Sequence, residues 1–163
     1  MARVYLGLGS NIDAERHLRL GIEQLRQRFG ELELSTVYRN RSVGFDGDDF
    51  LNMVVGFESE ASPAAIQTEI ERIHALAGRQ RGEAKYASRT LDIDLLLYDD
   101  LVTEVPGLRL PRPDVLEYGF VLRPLTELAP EMAHPVTGRT MLEHWQAFDA
   151  DSESLTAIDL NLQ

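Results

Sequence analysis

Lys85-Tyr86-Ala87-Ser88-Arg89-Thr90-Leu91-Asp92-Ile93-Asp94-Leu95-Leu96-Leu97-Tyr98 is the stretch on which the fold turns. It reads as an arginine-bearing loop running into a strand with an acid at every second position. Successive strand side chains alternate faces, so Asp92 and Asp94 project together, roughly 6.6 Å apart along the strand. Ile93, Leu95 and Leu97 then take the opposite face. The apolar run that closes the stretch predicts a strand in the centre of a sheet. Two carboxylates beside cationic residues can hold Mg²⁺ between the phosphates of a nucleotide. The alternative is a solvated face, or an edge whose acids repel pairing partners. An acid pair set into an apolar strand carries a desolvation cost that a metal offsets, which favours the first reading.

Upstream of this stretch the punctuation is clear. Ser62 suits an N-cap, Pro63 the first helical position and Gly78 the position past the end, with Ile66, Ile70, Ile73 and Ala77 as the apolar face. Residues 50–58 form a strand, 39–49 a polar loop rich in Gly and Asp, and 32–38 alternate as another strand. A helix runs from about Asp13 to Phe29, with Leu18, Ile22, Leu25 and Phe29 at helical spacing and Gly30 as its stop. Residues 3–9 make a first strand ending in a Gly turn. The order β-α-β-β-α-β predicts an α/β (α+β) fold, a ferredoxin-like core with an antiparallel sheet, in one domain over 1–163. Downstream lie a short strand near Leu101–Val102, a Pro-punctuated loop at 106–113 and helices near 120–128 and 140–148. The acidic tail, 149–163, is expected to be flexible.

Composition narrows the chemistry. With no cysteine, thiolate metal sites, Fe–S clusters, disulfides and cysteine nucleophiles are excluded. No signal-peptide pattern and no apolar run of membrane-crossing length is visible, so a cytoplasmic, membrane-free protein is expected. A net charge of −11 argues against a nucleic-acid surface. Against that acidity, Arg72, Arg79, Arg81, Lys85 (the only lysine) and Arg89 form a local cationic group suited to a small polyanion. Surface ion pairing is the alternative. Gly7-Leu8-Gly9 lacks the third glycine of a dinucleotide fingerprint, no Walker A spacing exists, and His17, His74, His134 and His144 have no zinc-like spacing.

Taken together, Lys85-x-Ala87-Ser88-Arg89-x-x-Asp92-Ile93-Asp94-Leu95-Leu96 resembles the signature of the 6-hydroxymethyl-7,8-dihydropterin pyrophosphokinase family of folate biosynthesis. Gly9-Ser10-Asn11, Tyr38-Arg39, Phe50-Leu51-Asn52 and Gly119-Phe120-Val121-Leu122-x-Pro124-Leu125-x-Glu127-Leu128-Ala129-Pro130 are similar to further segments of that family, in order, over about residues 4–148. The resemblance implies transfer of pyrophosphate from MgATP to the hydroxymethyl group of the dihydropterin, with release of AMP. It implies two Mg²⁺ ions on Asp92 and Asp94, and ATP contacts at Glu71, Arg79, Arg81, Tyr86, Arg89, Leu95 and Arg112. Pterin contacts are implied at Gly9, Asn40, Val43, Phe50, Asn52 and Phe120, with the two Phe rings as walls of the ring site. Arg79, Arg89 and Asp94 are implied as catalytic residues, Arg79 and Arg81 on a closing loop. A monomer with only small-molecule partners is expected.

Several positions depart from the family pattern. Tyr86 stands where many members have Trp, Arg112 where a histidine is common, and Tyr118 where an arginine precedes the Gly-Phe segment. The 40–49 loop lacks the usual Thr, Pro and Gln. These departures keep two alternatives open: a diverged paralogue acting on a related alcohol, and a catalytically silent module that binds a nucleotide or partner.

Overall fold

Burial along β1 (Ala2–Ser10) sets the layers of the molecule. The computed structural model describes residues 1–40, 49–78, 91–149 and 155–162. Ala2, Val4, Leu6 and Leu8 enter one core cluster and Tyr5 another, so β1 is covered on both faces. The chain then forms α1 (Ala14–Phe29), β2 (Glu33–Leu34), β3 (Val37–Asn40), β4 (Phe50–Ser59), α2 (Pro63–Leu76) and β5 (Asp92–Tyr98). A hairpin of β6 (Thr103–Val105) and β7 (Leu108–Leu110) follows, then α3 (Asp114–Glu117), α4 (Gly119–Leu128), α5 (Met141–Ala147) and β8 (Thr156–Ile158).

The main sheet has the order β5-β1-β4-β3-β8, with β2 also on β4, and every pairing is antiparallel. The β5-β1-β4-β3 core gives two interlocked split β-α-β units, the ferredoxin-like arrangement that the element order predicts. Leu18, Ile22 and Leu25 of α1 and Ile66, Ile70 and Ile73 of α2 pack on the Val4–Leu6–Leu8 face. Val121, Leu122 and Leu125 of α4, with Val115 and Met141, pack on the Tyr5–Val54 face. Fully burying each such side chain contributes about 1.5–3 kcal/mol. Both crossover helices end as the sequence predicts. Ser62 caps α2 through Ala65 N–H at 3.1 Å, and Gly30 and Gly78 follow α1 and α2 with φ of 84° and 86°.

The structure corrects several expectations. β5 is an edge strand of the main sheet, not a central one. Its apolar run reflects helices over both faces; such a run reports burial of faces and says nothing of lateral neighbours. Leu97 does not share the Ile93–Leu95 face. A register shift opposite Tyr5 and Leu6 places Leu96 and Leu97 together in the second cluster. The expected 32–38 strand breaks at Ser35, whose Oγ accepts the Val54 N–H at 2.9 Å and so competes with ladder pairing. The strand expected near Leu101–Val102 starts at Thr103 and pairs with β7, inside the segment expected as loop. The helix α3 was not anticipated.

The acidic tail is not all loop. β8 pairs with β3, Leu162 is buried, and Arg19 and Arg26 donate to the carbonyls of Asn161 and Leu162. Among the described residues, no helix is long and apolar enough to cross a membrane.

Candidate active site

Strand register brings the predicted residues onto one face. Asp92 lies opposite Gly9, Gly9 opposite Asn52, and Asn52 opposite Tyr38. One pair further along, Asp94 lies opposite Gly7 and Gly7 opposite Val54. Phe50 lies opposite Asn40 at the near end of β4. Asp92 therefore looks across Gly9 towards Asn52 with no β1 side chain between, and Asp94 looks across Gly7, over which the Leu96 side chain lies.

Gly9 is held to glycine by close approach. A Cβ there would sit 2.6 Å from Asn52 Oδ1. Asn52 and Asn40 are both buried, and Asn52 Nδ2 donates to Asn40 Oδ1. That bond fixes the Asn52 amide, leaving its remaining polar atoms to read a partner of fixed donor–acceptor pattern. Phe50 is half-buried on the Asn52 face of β4. Phe120, also half-buried, opens α4, which packs on the same layer. Tyr118 stacks on Phe120 with centroids 5.0 Å apart at 22°, so one face of the Phe120 ring is already covered.

A second recess, about 340 Å³, runs along the outer edge of β5. Glu71, His74 and Gln67 of α2, Asp92–Leu95 of β5, Gly107 and Arg112 line it. Glu71, Leu95 and Arg112, expected as nucleotide contacts, thus share one cleft with the two acids. Arg112 is held against the strand by its N–H, which donates to Leu96 O at 3.0 Å. One terminal nitrogen of Arg112 lies 3.5 Å from Asp94 Oδ1. Its Nε lies 3.3 Å from Asp114 Oδ1 without hydrogen-bond alignment. Arg112 therefore brings positive charge to the rim of the acid pair.

The donor set suits Mg²⁺. Asp92 and Asp94 offer hard oxygen atoms on neighbouring positions of one face, and each side chain is 30 % exposed. Mg²⁺ is commonly held by one or two carboxylates with phosphate and water completing its shell. Among the described residues, no group of three or more His, Cys, Asp or Glu is placed to form an all-protein cage.

Arg72 does not belong to this cleft. It pairs with Glu69, three residues back on α2, and donates to Gln24 of α1 at 2.9 Å. The expected Val43, Arg79, Arg81, Tyr86 and Arg89, with Lys85, lie outside the described residues. Two residues of the site carried no signal that was read as functional. Gly7 lies opposite Asp94 beneath the Leu96 side chain, and His74 is buried beside Ile73 on α2. A buried imidazole three residues after a cleft-lining glutamate was the available clue to the second.

Residues 5–130 match the family model of 7,8-dihydro-6-hydroxymethylpterin-pyrophosphokinase. The chain belongs to that family. It is 36 % identical over 146 residues to the 2-amino-4-hydroxy-6-hydroxymethyldihydropteridine pyrophosphokinase of Aquifex aeolicus, covering 88 % of this chain and 90 % of the relative. The Bacillus subtilis protein of the same name is 34 % identical over 137 residues, covering 82 % and 81 %. Among solved structures, a Plasmodium falciparum HPPK-DHPS chain with pterin and p-hydroxybenzoate superposes with a TM-score of 0.74 at 14 % identity. That match covers 92 % of this chain and 43 % of the other, so this chain spans less than half of the solved one, and the likeness speaks for the fold. The pyrophosphokinase family expected from the Asp92/Asp94 signature is thus the family of this chain, and ATP is the co-substrate of that family.

Proposed function

We propose that this chain transfers pyrophosphate from ATP to the hydroxymethyl group of 6-hydroxymethyl-7,8-dihydropterin, with the phosphates held at the β5 edge and the pterin on the Asn52 face. The observation that carries this reading is the register Asp92–Gly9–Asn52, which joins the acid pair to the amide pair across glycine. Asp92 and Asp94 would hold two Mg²⁺ ions. When bound, such ions neutralise phosphate charge and polarise the reacting oxygens.

This chain's own residues then divide the work. Glu71, Leu95 and Arg112 line the nucleotide cleft, and Arg112 offers its guanidinium to phosphate oxygen beside Asp94. Arg79, Arg81, Tyr86 and Arg89 complete the nucleotide contacts in this reading. Arg79, Arg89 and Asp94 are the catalytic residues: the two guanidiniums stabilise charge on the transferred group, and Asp94, or a water bound near the accepting hydroxyl, takes up its proton. Release of AMP requires the bond from the α-bridging oxygen to the β-phosphorus to break as the pterin oxygen attacks that phosphorus.

Gly9, Asn40, Val43, Phe50, Asn52 and Phe120 form the pterin site. The rings of Phe50 and Phe120 hold a flat heterocycle at little side-chain entropy cost, and the Asn52 amide reads its edge. The protein works as a single-domain monomer in the cytoplasm on small molecules, without nucleic acid or membrane. Incubation with Mg²⁺, ATP and the hydroxymethyldihydropterin tests the proposal. AMP is expected only when the pterin is present; tight ATP binding without pterin-dependent AMP would overturn it.

A further inference from the structure

On an edge strand, N–H groups that face away from the sheet need a partner from elsewhere. The Ile93 N–H, in the peptide that joins Asp92 to Ile93, finds one in a side chain. It donates to His74 Nε2 at 2.9 Å, and His74 is buried at 5 % exposure. An Nε2 that accepts leaves the imidazole proton on Nδ1, which faces Glu71 Oε1 at 3.5 Å. Nε2 also lies 4.0 Å from Asp92 Oδ1. His74 thus stands on α2, inside the cleft, and is bonded to the backbone between the two acids. Its helix is anchored independently, by Ile66, Ile70 and Ile73 in the core.

We infer that His74 is a positioning residue: a neutral imidazole, protonated on Nδ1, that ties the backbone between Asp92 and Asp94 to α2 and so sets the spacing and direction of the carboxylate pair. The inference rests on the assignment of that pair to metal-bound nucleotide. The side chain does not touch the reacting atoms. It acts through the strand, as groups behind a metal's ligands do, and loss of such a group commonly lowers metal affinity by about 10–100-fold. On its outer side the strand is held by this bond and by the Arg112 N–H to Leu96 O, while pairing with Gly7–Gly9 of β1 holds its inner side.

The test uses the full chain and a non-hydrolysable ATP analogue, α,β-methylene-ATP, titrated calorimetrically with Mg²⁺ and again with EDTA. The ratio of the two affinities is the metal-dependent gain. His74→Leu should cut this gain by about tenfold, a larger change than in the affinity measured with EDTA. His74→Gln, whose amide oxygen can accept the Ile93 N–H, should restore most of it. In turnover, the leucine variant should lower kcat and leave the KM for pterin in place. A long-range ¹H–¹⁵N spectrum of the wild type should show a neutral imidazole protonated on Nδ1.

A full metal-dependent gain in a folded His74→Leu, or a wild-type imidazole protonated on Nε2, would overturn the inference. If the leucine variant does not fold, the tautomer and the glutamine variant decide. Asp92→Asn separates the two levels of the argument. Loss of the gain there, with retention in His74→Leu, overturns only the role of His74. Retention in both overturns the carboxylate assignment as well.

Discussion

Replacing Gly9 by alanine tests the pterin floor with a single methyl group. The new Cβ would lie 2.6 Å from Asn52 Oδ1 and 3.8 Å from Leu51 O. Ordinary contact for such a pair begins near 3.4 Å, so the Asn52 amide must retreat by close to 1 Å. It cannot do so freely, because it is buried and its Nδ2 donates to Asn40 Oδ1. Two costs follow. Overpacking a dense region typically costs about 1–3 kcal/mol, and a strained or broken buried hydrogen bond adds about 1 kcal/mol. For a chain of this size each kcal/mol lowers Tm by about 2–4 °C, so Gly9→Ala should melt roughly 4–16 °C earlier. The displaced amide should also raise the KM for the hydroxymethyldihydropterin by about tenfold, the equivalent of one lost hydrogen bond of about 1.4 kcal/mol. Affinity for Mg²⁺ and nucleotide, which sit towards β5, should change little. Differential scanning calorimetry and pterin-titrated AMP release measure both effects. A normal KM for pterin with a lowered Tm would show that the Asn52 face is structural and does not bind the pterin.

Three further outcomes are expected. Asp92→Ala should lower turnover by at least about a hundredfold at saturating ATP, read as AMP formation across an Mg²⁺ titration; turnover within twofold of wild type would remove Asp92 from the metal site. Phe57→Ala should cost about 3–5 kcal/mol of stability in chemical denaturation, because the ring is fully buried and stacks on Phe29 with centroids 4.5 Å apart; a loss under about 1 kcal/mol would mean that the α1–sheet core collapses around the gap. His134 should make stability pH-dependent. Burial first, and then His144, push its pKa below the ordinary value, and its Nδ1 accepts the N–H groups of Val136 and Thr137 at 3.2 Å. A folded-state pKa below the unfolded one means that the unfolded chain binds more protons in that interval, so this contribution is full above about pH 6.5 and is lost as pH falls towards the depressed folded value. His134→Gln should flatten the fall in Tm between neutral and mildly acidic pH; an unchanged slope would assign the fall to other groups.

How much of this could be read from residues alone differs from element to element. Helix ends were legible because capping is local: Ser62, Pro63 and Gly78 bracket α2 as their chemistry requires. The shared face of Asp92 and Asp94 was legible because alternation is a property of three consecutive residues. Leu97 was not, because the register shift depends on how β5 meets Tyr5 and Leu6 more than ninety positions earlier in the chain. The strand in the tail was not legible for a similar reason. β8 is only three residues long, and nothing in Thr156–Ile158 announces that β3 will offer it an edge. His74 stood in the sequence only as one of four histidines without zinc-like spacing, because its partner, the Ile93 N–H, comes from another element.

The linear chain by itself determined the order of the β-α-β-β-α-β core, the family signature and the common face of Asp92 and Asp94. Each of these follows from spacing within a few residues, where backbone geometry leaves little choice. Tertiary structure decided the rest: that β5 is an edge, that Gly9 of β1 stands between Asp92 and Asn52, and that an imidazole from α2 ties the strand carrying the acids. These are relations between segments far apart in sequence. Only the packing of two helical layers onto one twisted sheet fixes the distances among them.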